Sequence, residues 1–161
     1  MPYCLKCGSP LVSSQIDGRE RETCSASCGF VLWDNPTPVV AAIVEYNDAI
    51  VLVRNKAWTQ KFFGLVTGFL EKGETPDAAV LREVKEELGL AGTIAEFIGN
   101  YSFFQMNQLI IAYHVRATGT LTLGDELAES KLIPPEKLRS WEFGTGPAVK
   151  DWLAKRIQIH N

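Results

Sequence analysis

The chain has 161 residues, 46% of them hydrophobic and 22% charged, the ordinary make-up of one globular domain with a small appendage, which excludes disorder and fibrous repeats. Sixteen Lys and Arg against nineteen Asp and Glu leave a formal net charge of -3, so no overall basic field is present to hold a polyanion such as duplex DNA. The longest apolar run, Val39 to Val44, is too short to span a bilayer, and the opening Met-Pro-Tyr-Cys lacks the segments of a secretory signal, so a cytoplasmic chain without membrane contact is expected.

All four cysteines fall in the first 28 residues: Cys4 and Cys7 two residues apart, then sixteen residues, then Cys24 and Cys28 three apart. Two such thiolate pairs can complete a tetrahedral zinc site. Gly8 and Gly29 each follow the second Cys of a pair, where a tight turn with positive φ is expected. The alternative is two disulfides in a secreted module. Ser13, Ser14, Asp17, Arg19, Glu20, Arg21 and Glu22 offer little core, so the segment reads as a zinc ribbon whose Zn²⁺ is structural and supplies its folding free energy. Residues 1–33 are assigned to this ribbon and 34–161 to a second domain, with the Trp33–Pro38 segment as an extended linker enforced by its two prolines.

Val39–Tyr46 and Ala49–Arg54 are apolar and joined by Asn47-Asp48, which predicts a hairpin. Phe62–Phe69 is a second apolar stretch, running into the polar turn Glu71–Glu74. Thr75 as N-cap, Pro76 at the first helical position, Leu81, Val84 and Leu88 on one stripe and Gly89 as stop predict a helix over 76–88. Ile94–Phe104 and Gln108–Arg116 read as strands around the polar Gln105–Asn107, Leu121–Ser130 as a loop and Pro135–Leu138 as a short helical turn. Pro147–Ile157 reads as a helix with Val149, Trp152, Leu153 and Ile157 on one face. The order implies an α/β sandwich with a mixed sheet.

On the 76–88 helix, Glu83, Glu86 and Glu87 stand at i, i+3 and i+4, on adjoining surface positions where like charges repel. A solvated acidic face is one reading. A divalent cation held by oxygen ligands, Mg²⁺ or Mn²⁺ with substrate phosphates, is the other. The whole segment decides between them. From Gly68 the chain reads GFLEKGETPDAAVLREVKEELGL, with Gly68, Glu74, Arg82-Glu83, an aliphatic Val84, Glu86-Glu87, Gly89 and an aliphatic Leu90 at fixed spacing. That string resembles the signature box of the Nudix hydrolases at every defined position, a coincidence expected on the order of 10⁻⁷ of the time in a chain of this length.

The resemblance implies an α/β/α sandwich and hydrolysis of a nucleoside diphosphate linked to another moiety. It implies Glu83, Glu86, Glu87 and the Gly68 carbonyl as Mg²⁺ or Mn²⁺ ligands, supported by Arg82 with Glu74. A downstream acid often joins that set, and in GDELAES the candidates are Glu126 and Glu129. A ribbon directly before the box, the NPTP linker and GFLEKGE are similar to the NADH pyrophosphatase branch, which implies NADH, ADP-ribose or a similar dinucleotide as substrate. Two departures shift that inference: the extra N-terminal domain of the full-length enzymes is not in this sequence, and Tyr101–Gln105 replaces their proline- and tryptophan-rich motif. Tyr101, Phe103 and Phe104 are placed to stack on a base or nicotinamide ring, with Tyr101 and Phe104 the candidates chosen. Modified nucleoside triphosphates as substrate, a non-catalytic nucleotide sensor, a capped RNA end as substrate and a homodimer are the alternatives and partners the family leaves open.

Overall fold

The computed structural model describes residues 3–59 and 61–159, the side chains of 157–159 excepted, and divides into two units, Met1–Asn35 and Pro36–Asn161. Among the described residues no helix is long and apolar enough to cross a membrane.

In the first unit, β1 (Leu11–Ile16) and β2 (Arg19–Cys24) form an antiparallel hairpin and β3 (Val31–Leu32) adds to β2. Asp17 and Gly18 turn the hairpin with φ of 50° and 74°. The interior is Cys4, Leu11 and Cys24, with Cys28, Phe30 and Leu32 packed against them, too few apolar groups to hold a sheet on their own. Gly8 and Gly29 have φ of 74° and 83°, the positive-φ turns expected beside the cysteines.

The second unit is built on β4 (Thr37–Tyr46), whose apolar run is buried on both faces, as a central strand requires. Val40, Ala42 and Val44 face one core with helix α1 (Pro76–Leu88), and Ala41 and Ile43 face the other with helix α2 (Gly146–Ile159). The sheet order is β7 (Ala91–Phe103), β8 (Gln108–Thr118), β4, β5 (Ala49–Asn55), β9 (Leu127–Ile133), with β6 (Val66–Phe69) also on β4. Strand β8 runs parallel to β4 and every other pairing is antiparallel, so the sheet is mixed and lies between the two helices. Residues 39–42 of β4 pair with β6 while 44–46 pair with β5. That division brings β6, and the loop it opens, to the middle of the sheet.

The Asn47-Asp48 turn has φ of 50° and 60°, the left-handed pair that a two-residue hairpin demands. Helix α1 has the bounds the sequence predicts and stops at Gly89 with φ 69°. Thr75 is its N-cap in extended conformation but its side chain makes no capping bond; it pairs instead with Asp77. Three expectations are corrected. The loop assigned to Leu121–Ser130 ends in strand β9, paired with β5 at the sheet edge, where alternating polar positions hid it. The linker ends sooner, because Thr37 already pairs with Gln108 in β8. Helix α2 reaches Ile159 rather than Ile157, and the side chain of Ile157 lies outside the described residues.

Candidate active site

Helix α1 buries Ala79, Val80, Val84 and Leu88 against the sheet, leaving Arg82, Glu83, Glu86 and Glu87 along a cleft of about 1040 Å³. Strand β6 presents Gly68 to the same cleft, and the Glu83 carboxyl lies over its Cα: a Cβ built on Gly68 would come 1.9 Å from Cδ of Glu83. Glycine is required here by space, not by φ. Arg82 ties loop to helix. Its Nε and Nη2 donate to the two carboxylate oxygens of Glu74 at 2.9 and 3.0 Å, and Nη1 donates to Glu83 at 2.7 Å and Glu86 at 3.0 Å. These bonds hold the guanidinium charged and keep the Glu74 carboxyl below its ordinary range.

Glu87 has no such partner. Its Oε2 is buried without a hydrogen bond, and burial, reinforced by the neighbouring Glu83, Glu126 and Glu86, pushes its carboxyl up to about 8. Burial also raises Glu83, against the pull of Arg82. The opposing side of the cleft comes from the segment after β8. Thr122 and Gly124 donate backbone N–H groups to the carbonyls of Leu88 and Glu87 at 2.9 and 2.8 Å, closing the open end of α1. A Cβ on Gly124 would sit 2.6 Å from the Glu86 carbonyl oxygen, so only glycine allows this approach. Lys56 completes the clamp, its backbone N–H to the Glu126 carbonyl at 2.8 Å and its Nζ to the Asp125 carbonyl at 2.6 Å. Glu126 thereby lines the cleft beside Glu83 and Glu87. Glu129 does not: it sits on β9 and binds Arg54 Nε at 2.8 Å, which holds its carboxyl low.

The proposed stacking residues are placed differently from expectation. Tyr101 packs into the core under α2 and its hydroxyl donates to Asp151 at 2.7 Å, while Phe104 is 86% exposed at the β7–β8 turn; neither lines the cleft. Tyr101 shares its face of β7 with Phe103, which does reach the cleft, so place along the strand and not alternation separates the two. The aromatic lining is Trp58, Phe62, Phe103, Trp141 and Phe143. Sequence reasoning missed four of these because they sit in aperiodic segments; the pairing of Trp with Phe at 58/62 and 141/143 was the available signal.

In the first unit the four thiols converge: Cys4 and Cys28 Sγ are 3.5 Å apart, Cys7 and Cys24 Sγ 3.4 Å, and all four lie within 4.8 Å of one another. They are free thiols, so the disulfide alternative is not what is formed. Hydrogen bonds from Ser9 and Cys24 lower Cys7 to about 6; the Phe30 backbone holds Cys28 down, but burial and the other three cysteines push it up to about 12. Four sulfurs this close are placed to share one cation.

Residues 35–154 match the NUDIX domain family. The chain belongs to the Nudix family. The NAD-capped RNA hydrolase NudC of Pseudomonas aeruginosa is 27% identical over 134 residues, covering 83% of this chain and 44% of that one. Its Mycobacterium tuberculosis counterpart is 32% identical over 76 residues, 47% of this chain and 24% of the other. The chain thus spans less than half the length of the curated relatives it matches. Among solved structures, a Nudix hydrolase from Nitrosomonas europaea superposes with TM-score 0.80 at 23% identity, covering 98% of this chain and 93% of that one. An ADP-ribose pyrophosphatase from Streptococcus suis does so with TM-score 0.62 at 18% identity, over 76% and 92%. These two establish the Nudix fold for the mixed sheet and its flanking helices.

Proposed function

We propose that the chain hydrolyses the pyrophosphate bond of a nucleoside diphosphate linked to another moiety, with Mg²⁺ or Mn²⁺ held by Glu83, Glu86, Glu87, Glu126 and the Gly68 carbonyl. The observation that carries this reading is Glu87: a carboxylate oxygen buried without a partner, among three like charges, is an arrangement that a cation completes. The donor set fits, being oxygen alone. When bound there, the cation neutralises phosphate oxygens and acidifies water. The chain's own groups do the rest. Arg82 fixes Glu83 and Glu86 at their distances and takes Glu74 as its counter-charge. Gly68 keeps the space over its Cα clear for the Glu83 carboxyl. The segment 122–126, latched to α1, brings Glu126 to the same point and closes the cleft on that side.

For the substrate, the name of the NudC relatives supports an NAD-capped RNA end, and through its NAD moiety a dinucleotide such as NADH or ADP-ribose, over a modified triphosphate. The four thiols of the first unit hold a structural Zn²⁺ in this reading, supported by their mutual approach. The test incubates the full chain with Mg²⁺ and NADH, ADP-ribose, NAD-capped RNA and nucleoside triphosphates. Two monophosphate products from a dinucleotide are expected. A preference of more than about tenfold for a triphosphate, roughly 1.4 kcal/mol in transition-state binding, replaces the dinucleotide reading with pool cleaning. Tight binding with no turnover of anything makes the chain a sensor.

A further inference from the structure

The three-stranded sheet of the first unit sorts its charges by face. Side chains along a strand alternate between the two faces, so the buried pair Leu11 and Cys24 marks the inner face and the next pair, Val12 and Thr23, the outer one. Ser13, Glu20 and Glu22 share the inner side with Cys24, and the Ser13 hydroxyl donates to Glu20. Ser14 of β1 and Arg19 and Arg21 of β2 share the outer side, where the Ser14 and Thr23 hydroxyls meet at 2.8 Å. Trp33 follows β3 and joins them. The Arg21 guanidinium carbon lies 5.1 Å from its ring centroid, and Nη1 donates to its carbonyl at 2.6 Å.

Residues 1–35 hold three cations and four acids, a net charge of -1, so composition does not mark the unit as basic. The sorting does. Among the described residues the outer face carries two of those cations and no carboxylate; Asp17 sits in the hairpin turn and Asp34 after Trp33, both outside the strands. Val12 is 46% and Trp33 47% exposed, and neither packs on the core of Cys4, Leu11 and Cys24, so this face contributes little to holding the unit together. A ring with guanidiniums beside it and no carboxylate is a surface for a single strand of nucleic acid, whose bases stack on ring and guanidinium planes while its phosphates meet the charge. We propose that this outer face, with Trp33, Arg19 and Arg21 as its contacts, binds single-stranded RNA, the body that follows a capped 5′ end. It rests on the capped-RNA branch of the reading above and adds a surface outside the cleft. An acidic peptide would engage the arginines and leave the ring without a planar partner, and a second copy would set the same arginines against their own.

The experiment uses a short single-stranded RNA with a 5′-hydroxyl, which carries no cap and no pyrophosphate, so its result is independent of whether the chain hydrolyses anything. The full chain is titrated with this RNA, labelled at its 3′ end with fluorescein, and binding is followed by anisotropy. Two phosphate contacts predict a roughly sevenfold loss of affinity between about 50 and 200 mM salt, and Arg19→Gln, at an exposed position, should cut that loss to about threefold. Trp33→Leu should weaken binding at least about fivefold, the low end of what one stacked ring contributes, whereas Trp33→Tyr keeps a ring and should weaken it less. Three results overturn the proposal. Affinity and salt response unchanged in both Arg19→Gln and Trp33→Leu remove the face; equal competition by polyglutamate makes the partner an acidic peptide; a dimer formed without RNA and lost in Trp33→Leu makes it a second copy.

Discussion

Replacing Gly68 by alanine tests the site at its tightest point. The added Cβ would lie 1.9 Å from Cδ and one oxygen of Glu83 and 2.5 Å from its Cγ, where ordinary contact begins near 3.4 Å, so the carboxylate must retreat by about 1.5 Å. Nothing at Gly68 forbids alanine, because its φ is not in the left-handed region. The retreat breaks the 2.7 Å bond from Arg82, a partly buried charge-assisted bond worth about 1.5–3 kcal/mol. Against that loss, alanine in a strand recovers about 0.5–1 kcal/mol over glycine. Folding stability should therefore fall by about 0.5–2.5 kcal/mol. Catalysis should fall further, since displacing a cation-positioning carboxylate by more than 1 Å costs on the order of 10²-fold. Hydrolysis of the best substrate with saturating Mg²⁺, together with Mn²⁺ affinity by EPR and a urea unfolding curve, separates the two effects. Turnover within threefold of the parent would refute the claim that Glu83 works from above Gly68.

The remaining expectations concern the other acids and the thiols. Glu126→Gln should lower kcat about 10²-fold, whereas Glu129→Gln removes one exposed pair with Arg54 and should leave kcat nearly unchanged; steady-state rates of both variants decide which acid belongs to the site. Glu87 ionises near 4.5 when unfolded and near 8 when folded, so the folded state keeps a proton across that window, and its contribution to stability is present below pH 4.5 and lost as pH rises through 8. Without added divalent cation, melting of the parent should drop between pH 6 and pH 8 relative to Glu87→Gln, and parallel profiles would show that Glu87 is not buried as described. Protein purified without added zinc should contain one Zn²⁺ per chain by elemental analysis, and Cys4→Ser should lose it while the melting transition of the Nudix unit stays in place.

Local chemistry made much of this readable in advance. Helix α1 is legible because Pro76, the stripe of Leu81, Val84 and Leu88 and the left-handed Gly89 all report the same boundaries. The pairing of Arg82 with Glu74 is implied only by the resemblance of the box, because Glu74 lies before the helix and no helical spacing links the two; the bidentate contact is in place. What was not legible depends on distant partners. Strand β9 has half its side chains in solvent and exists because β5 needs an edge partner. Glu126 and Glu129 look alike in sequence, and only Gly124, Lys56 and Arg54 tell them apart. Tyr101 and Phe104 read as stacking residues because an aromatic on a strand reports a face; the cleft is lined instead by Phe103, on the face that Tyr101 shares, and how far along β7 the cleft reaches depends on distant segments.

The parallel pairing of β4 with β8 has a kinetic consequence. It joins Thr37 to Gln108, so the centre of the sheet closes only when two segments 71 positions apart meet, with the entire box helix looped out between them. Gly68 is anchored to β4 and Glu126 follows β8, so the two sides of the cleft stay apart until that closure is made. Loop closure of this length sets the pace of folding, while anything that needs both sides at once binds only the finished structure. Divalent cations should then leave the refolding rate untouched and act on the reverse step, lengthening the lifetime of the folded Nudix unit instead of guiding its formation.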